Sequence, residues 1–144
     1  MSVYGHTMTT KERNQDIRIV AELVQVHLPN SLQDSDLCKD MCSVIAISLR
    51  RYAEDAEKSA SAWDKRAYHT KADELRRGFA WATPAAQVAE QLAYTPRKFS
   101  AEDVRRLQSL LPPNLELPAR PRFKDVQVLR GAAAAARQTL LKKK

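Results

Sequence analysis

Glycine, cysteine and long apolar runs are all scarce in this sequence, and each shortage excludes a class of structure. Only three glycines and two cysteines occur among 144 residues. So little glycine, beside plentiful Ala, Leu, Arg, Lys, Glu and Gln, favours helix over sheet. No stretch approaches the roughly 20 uninterrupted apolar residues of a membrane-spanning helix. Residues 1–6 lack the basic-then-apolar layout of a secretory signal. We therefore expect a helical, cytoplasmic protein with no membrane partner.

The two cysteines, Cys38 and Cys42, stand four residues apart, which places them on one face of a predicted helix. Helix geometry rarely lets such a pair close a disulfide of the preferred shape. A metal site needs more ligands, and the three histidines, His6, His27 and His69, are scattered along the chain. The sequence therefore predicts two reduced core thiols, no metal and no cofactor.

Motifs of known catalytic chemistry are also missing. The sequence contains no P-loop, no GxGxxG and no HExxH. A histidine could meet a carboxylate where His69 precedes Asp73 by four residues, but such a pair is more often a solvated surface contact. Adjacent acids such as Glu102 and Asp103 point in different directions on a helix. We therefore predict that the protein is not an enzyme and has no catalytic residues.

Apolar residues recur at helical spacing through most of the chain, which predicts one helical domain over residues 1–144. The predicted architecture is an all-α, single compact bundle of about five or six helices. We expect residues 1–8 to be flexible, 114–123 to form a Pro-rich extended connector before the last helix, and 142–144 to be a basic tail. The pattern predicts helices up to Leu28, then over 37–52, 63–82, 84–94, 101–111 and 125–141. Residues 53–62 are compatible with either a helical extension or a turn.

The first predicted helix has two apolar faces. One face includes Val20 and Val24, and Ile19 and Val26 belong to the other. A helix that is apolar on two sides is sandwiched, either within the fold or by another subunit. This N-terminal helix is therefore the predicted surface for protein partners or self-association.

Charge is divided unevenly along the sequence. Residues 1–60 hold seven Lys/Arg and nine Asp/Glu, whereas residues 61–144 hold seventeen and eight, which leaves the second part strongly basic. Basic residues stand beside an aromatic ring in five runs, namely Arg50–Tyr52, Lys65–Tyr68, Arg76–Phe79, Arg97–Phe99 and Arg120–Phe123. A nucleic acid offers phosphates to cations and exposed bases to rings, so this mixture indicates a nucleic-acid partner.

The five runs differ in their predicted surroundings. The runs around Arg51, Arg66 and Arg77 fall on predicted helices, where we assign the rings to the core beneath a mixed-charge surface. The runs beginning at Arg97 and Arg120 fall in or near loops, with no nearby acid except Asp125 in the sequence. The predicted nucleic-acid-binding residues are Arg76, Arg77, Arg97, Lys98, Arg105, Arg106, Arg120, Arg122 and Lys124. The predicted base-stacking residues are Phe123 and Tyr94.

These observations favour a non-catalytic, basic helical subunit that contacts RNA or DNA backbone without strong sequence specificity, within a larger nucleoprotein complex. In size, charge and all-helical layout the chain is similar to small helical subunits of CRISPR effector complexes. This likeness is architectural and implies no role for any particular residue. The alternative is a helical protein–protein interaction module, or an oligomeric adaptor or regulator, whose charge serves solubility or an acidic protein partner.

Overall fold

A computed structural model describes residues 10–113, 115 and 117–142. Helices account for most of these residues and no strand occurs among them, so the predicted all-α class is confirmed. The α-helices are α1 (Thr10–Glu22), α2 (Ser35–Lys65), α3 (His69–Phe79), α4 (Ala82–Tyr94), α5 (Ala101–Leu110) and α6 (Ala132–Lys142). Shorter elements are a π-helical turn (Leu23–His27) and two 3₁₀ turns (Pro29–Ser31 and Val126–Leu129). The predicted flexible start at 1–8, positions 114 and 116 of the connector, and positions 143 and 144 of the tail lie outside the described residues.

Helix α2 is the axis of the bundle. It begins directly after Asp34, its N-cap residue. The carboxylate of Asp34 accepts the backbone N–H of Leu37 at 3.1 Å. It continues without a break through residues 53–62, where Ala56 and Ala60 remain buried. Helices α1, α3, α4 and α6 all pack against it. Residues 53–62 are therefore helix rather than turn.

The core lies between α2, α1 with its π-helical turn, α4 and α5. Its large and fully buried side chains include Leu23, Leu28, Met41, Ile45, Leu49, Leu92 and Leu107. Helix α4 contributes a buried row of small residues, Ala82, Ala85, Ala86 and Ala89, and packs extensively on α2. Burial of one Leu-sized side chain stabilises a fold by about 1.5–3 kcal/mol, so this cluster is the main source of stability. No helix in the described part of the chain is long and apolar enough to cross a membrane.

The break between α2 and α3 corrects the prediction of one helix over 63–82. The N–H of Tyr68 donates to the carbonyl of Trp63, and that of Ala67 donates to the carbonyl of Asp64, each at 2.9 Å. This bond pair is a Schellman motif, which ends a helix with one left-handed residue. Ala67 occupies that position with φ of 66°, where glycine is the usual residue. No glycine or proline marks the site in the sequence, so periodicity alone runs through it. A second interruption separates α3, which ends at Phe79, from α4, which begins at Ala82.

The last helix begins later than predicted. The sequence predicts it from position 125, whereas the chain forms a 3₁₀ turn over Val126–Leu129 and α6 starts at Ala132. Gly131 precedes α6 with φ of 91°. The carboxylate of Asp40, in α2, accepts the N–H groups of Gly131 at 2.7 Å and Ala133 at 3.0 Å. The start of α6 is therefore capped by a side chain from another helix, which no local pattern reveals.

Candidate nucleic-acid interface

Residues 117–124, called here the connector strap, cross the end of α1 without helical structure. The buried carboxylate of Glu22 accepts the backbone N–H of Arg122 at 2.6 Å and that of Phe123 at 3.1 Å. The same carboxylate lies 2.6 Å from Nε2 of His27. One acidic side chain therefore fixes the backbone of the strap against α1.

The π-helical turn explains why Glu22 and His27 meet. Residues five apart on an α-helix point in directions about 140° apart, because each residue advances about 100°. Over Leu23–His27 the helix widens, and the N–H of Leu28 donates to the carbonyl of Leu23 at 2.8 Å. This i→i+5 bond brings position 27 back toward position 22. The widened turn therefore aims His27 at the carboxylate that holds the strap.

Hydrogen bonds keep Glu22 charged in this setting. Burial by itself raises the pKa of Glu22, but the donors of Arg122, His27 and Phe123 outweigh burial and hold the pKa below its ordinary value of 4.5. The Glu22 carboxylate makes its hydrogen bonds with two backbone N–H groups and one imidazole. It therefore does not pair with the cationic side chains of the strap.

A groove of about 650 Å³ lies between the strap and the π-helical turn. Its apolar lining comes from Val26, Leu117, Pro118, Pro121 and Phe123, and its other lining residues are Glu22, His27, Arg120 and Lys124. Phe123 is half-buried and meets the His27 ring edge to face, with centroids 6.1 Å apart and planes at 83°. The volume falls within the usual range for ligand pockets, about 300–1,000 Å³. The second apolar face of the first helix is thus partly used inside the fold, because Val26 lines this groove.

Arg97 is bound by an acid that the sequence pattern did not place beside it. Its guanidinium forms two bonds to the buried carboxylate of Asp103, at 2.8 and 2.6 Å. Asp103 also accepts the N–H of Ser100 at 3.0 Å, which completes the capping box of α5. The Arg97 hydrogen bonds lower the pKa of Asp103 more than burial raises it. The expectation that Arg97 has no nearby acid is therefore wrong.

Two further predicted phosphate contacts are also paired within the fold. Arg76 bridges Glu57 at 2.9 Å and Asp64 at 2.8 Å, and these carboxylates raise its pKa. Arg105 pairs with Glu102 one turn earlier in α5, at 2.7 Å. A cation held by a carboxylate must break that contact before it meets a phosphate. Arg76 and Arg105 are therefore weaker candidates than exposed cations without a partner.

The remaining predicted cations are exposed and have no carboxylate partner in the part of the chain that the structure describes. They are Arg77, Lys98, Arg106, Arg120, Arg122 and Lys124. The last three lie within five consecutive residues of the connector strap. The fold therefore concentrates unpaired positive charge on the segment that Glu22 anchors.

The two predicted stacking rings have different surroundings. The hydroxyl of Tyr94 donates to the carbonyl of Ala133 at 2.9 Å, and the guanidinium of Arg137 lies 4.8 Å from its ring centroid. Tyr94 therefore fastens α4 to α6, and its ring is covered by a cation. Phe123 is half-buried and lines the groove. Of the two, only Phe123 adjoins the unpaired cations of the strap.

The exposed ring was missed by sequence reasoning. Tyr68 is 54% exposed, although its run was assigned to a helix with a core ring. Phe99, in a run kept as a functional candidate, is 5% exposed and belongs to the core cluster. Its N–H donates to Oγ of Ser35 at 2.9 Å, which ties it to the start of α2. The turn at Ala67 moves Tyr68 to the surface, and nothing in the local sequence marks that turn.

Neither a metal cluster nor a reactive thiol occurs in the described ranges. No three His, Cys, Asp or Glu side chains come together there as metal ligands. Cys38 and Cys42 are free and buried, and burial raises the pKa of Cys38 to about 12 and that of Cys42 well above its usual range. Sγ of Cys38 donates to the carbonyl of Ser31 at 3.1 Å. Thiols that stay protonated are poor nucleophiles, so these two serve the core.

No protein-family model, curated protein or solved structure matches this chain. Its function must therefore be inferred from the geometry of the connector strap and of the exposed cations and rings.

Proposed function

We propose that the protein is a non-catalytic nucleic-acid-binding subunit of a larger nucleoprotein complex. In this proposal the cations of the connector strap contact the phosphate backbone of RNA or DNA. The observation that carries the proposal is the pairing pattern of Arg120, Arg122 and Lys124. All three side chains are exposed and have no carboxylate partner among the described residues, while Glu22 anchors the strap backbone at Arg122 and Phe123.

The anchored backbone favours binding because less freedom is lost when a ligand arrives. A flexible basic tail must be ordered upon contact, and that ordering opposes association. Here Glu22 already holds the amides of Arg122 and Phe123. The guanidinium groups of Arg120 and Arg122 can each present two parallel donors to one phosphate, which a lysine cannot do.

Contacts of this kind would fix position without reading sequence. Phosphates are identical at every nucleotide, so cations on the backbone give affinity and register but no base specificity. Lys98, Arg106 and Arg77 also lack a carboxylate partner among the described residues, and in this proposal they extend the contact. We therefore expect similar affinities for unrelated sequences and a strong dependence on salt.

The groove favours a second candidate function, which is protein binding. Its apolar lining by Val26, Leu117 and Phe123 suits an apolar side chain of a partner. Arg120 and Lys124 beside it suit acidic residues that flank such a side chain. This candidate corresponds to an interaction module whose charge selects an acidic protein.

Fluorescence anisotropy with labelled oligonucleotides of unrelated sequence tests the first candidate. Replacing Arg120, Arg122 and Lys124 with Gln should weaken binding at 50 mM salt. It should also reduce the slope of log K against log salt by about 2–3, since each lost phosphate contact removes about 0.7–0.9. Absence of binding by the unaltered protein at 50 mM salt would contradict the proposal.

A variant with the same change in net charge is the matched control. Arg18, Lys39 and Lys58 also have no carboxylate partner in the described residues, and all three lie in the first part of the chain. Replacing these three with Gln should leave the salt slope unchanged. Equal losses in both triple variants would mean that net charge, rather than the strap, determines binding. Retention of an acidic peptide with no oligonucleotide binding would favour the second candidate.

A further inference from the structure

A second cluster of cations and rings lies at the C-terminal end of α2, away from the strap. We call it the Tyr68 knob, and it consists of Trp63, Lys65, Arg66, Tyr68 and Lys71. Among the large apolar side chains that the structure describes as exposed, Tyr68 at 54% is exceeded only by Val128 at 74%. An exposed tyrosine ring among cations is the combination that single-strand binding sites use.

The ring is held in place by its neighbours. Trp63 meets Tyr68 edge to face, with centroids 5.6 Å apart and planes at 83°. Nζ of Lys71 lies 4.8 Å from the Trp63 centroid, and the guanidinium carbon of Arg66 lies 5.8 Å from it. The Trp63 ring is thus occupied by these contacts, whereas Tyr68 keeps about half of its surface free. The left-handed Ala67 between them projects Tyr68 from the end of the helix.

The acid within this segment is neutralised by other residues. The carboxylate of Asp64 binds Nδ1 of His69 at 2.8 Å and the guanidinium of Arg76 at 2.8 Å, and these contacts lower its pKa. Lys65 and Lys71 have no carboxylate partner in the described residues. The knob therefore presents net positive charge around its exposed ring.

We infer that the Tyr68 knob is a stacking platform for single-stranded nucleic acid. An unpaired base would lie on the exposed surface of Tyr68, and the flanking phosphates would lie against Lys65, Arg66 and Lys71. This inference rests on the proposed function and adds a preference for unpaired strands. A duplex hides the faces of its bases, so it can offer the knob only phosphates.

The knob and the strap are separate sites. Ion pairs of Arg51 with Asp16 and of Arg13 with Asp55 show that α1 runs antiparallel along α2. The Glu22 end of α1 therefore lies near the middle of α2, whereas the knob lies at its end. A rise of 1.5 Å per residue puts these points about 25–30 Å apart. Substitutions at the two sites should therefore act independently.

Anisotropy titrations with a single strand and with its duplex test the inference. Tyr68→Ala should raise the Kd for the single strand about tenfold and leave the Kd for the duplex unchanged within about twofold. Tyr68→Phe keeps the ring and should retain single-strand affinity. Val128→Ala, an exposed apolar residue outside the knob, is the matched control and should change neither value. Circular dichroism of each variant verifies that the helical fold is retained.

Tryptophan fluorescence provides a second test, because a change in net charge alone would not alter the quenching of Trp63. The chain has two tryptophans, Trp63 and Trp81, so Trp81→Phe leaves Trp63 as the only one. Adding single-stranded oligonucleotide should quench Trp63 in this variant. The quenching should shrink when Tyr68→Ala is added, whereas duplex should have little effect in either background.

The outcomes separate this inference from the proposed function. If the variant with Gln at positions 120, 122 and 124 shows the reduced salt slope while Tyr68→Ala binds single strands normally, the inference is overturned and the proposed function stands. Equal weakening of single-strand and duplex binding by Tyr68→Ala would also overturn it. Absence of binding to every oligonucleotide at 50 mM salt would overturn both.

Discussion

The carboxylate of Glu22 accepts the backbone N–H of Arg122 at 2.6 Å, across 100 residues of sequence. This bond joins the first part of the chain, where acids slightly outnumber bases, to the strongly basic second part. Because the acid binds amides rather than side chains, it positions the connector strap without neutralising its cations. In the proposed site, the first part of the sequence therefore supplies the anchor and the second part supplies the exposed cations.

Glu22→Gln should release the strap. The amide nitrogen of Gln is a donor, so it would face the N–H of Arg122 or Phe123 where a carboxylate oxygen now accepts. Loss of these charge-assisted bonds should lower the free energy of unfolding by about 2 kcal/mol, measured by urea denaturation. Trypsin should also cleave faster after Arg122 and Lys124, whereas Pro121 protects the bond after Arg120.

Glu90→Gln is the control for the change at Glu22. Glu90 forms an exposed ion pair with Arg50 on the surface, so its substitution should cost less than about 1 kcal/mol. Equal effects of the two substitutions would mean that Glu22 does not anchor the strap.

Stability should fall in acid because two buried carboxylates have lowered pKa values. Glu22 and Asp103 titrate in the folded protein below their ordinary values of 4.5 and 3.8. Their contribution is therefore complete above those values and is lost as pH falls through the folded-state pKa. Urea midpoints should decline from about pH 5 downward. Glu22→Gln should show a smaller decline than the unaltered protein, and an equal decline would contradict this account.

Ala67→Gly should stabilise the protein. Ala67 has φ of 66°, a conformation that costs an L-residue with a side chain about 1–2 kcal/mol and costs glycine little. After the larger loss of chain entropy by glycine, we expect a net gain of about 1 kcal/mol in thermal or urea unfolding. Ala62→Gly, on the exposed side of α2, should instead destabilise by about 1 kcal/mol. The same sign for both substitutions would contradict the left-handed turn.

Asp40→Ala should weaken the attachment of α6. Its carboxylate accepts the N–H groups of Gly131 and Ala133, which would otherwise lack partners at the start of that helix. A lost cap typically costs about 1–2 kcal/mol. Hydrogen exchange should show faster exchange of the amides at the start of α6. Asp36→Ala, an exposed acid in the first turn of α2, should leave those amides unchanged.

Local pattern was sufficient for some parts of the molecule. The all-α class, the short helix predicted over 101–111 and the buried face with Val20 and Val24 follow from residues within one or two turns of each other. The prediction of one helix over 63–82 is wrong because Ala67, a residue that usually favours helix, adopts a left-handed conformation here. The predicted start of the last helix at position 125 is wrong because the residue that caps the helix, Asp40, lies more than 90 residues away in sequence.

Sequence patterns predicted the candidate sites less well than they predicted the fold. The sequence favours Phe99 as a functional ring, but Phe99 packs in the core. It places the ring of the Lys65–Tyr68 run in the core, but Tyr68 is exposed. It listed Arg97 among unpaired cations, although Asp103 holds it with two bonds. Phe123 and the strap cations remain predicted contacts, now with a defined backbone anchor.

Composition and helical spacing determined that this chain is helical, which faces it buries, and that its positive charge lies in the second part. These properties depend on interactions between near neighbours, which repeat every three or four residues. Tertiary structure decided which cations remain unpaired and which rings reach solvent. Those outcomes depend on contacts such as Glu22 with Arg122 and Asp34 with Arg130, which join residues about 100 positions apart. Contacts between residues so far apart in sequence depend on how the helices pack and on which groups they bury. The order of residues along one helix does not reveal this.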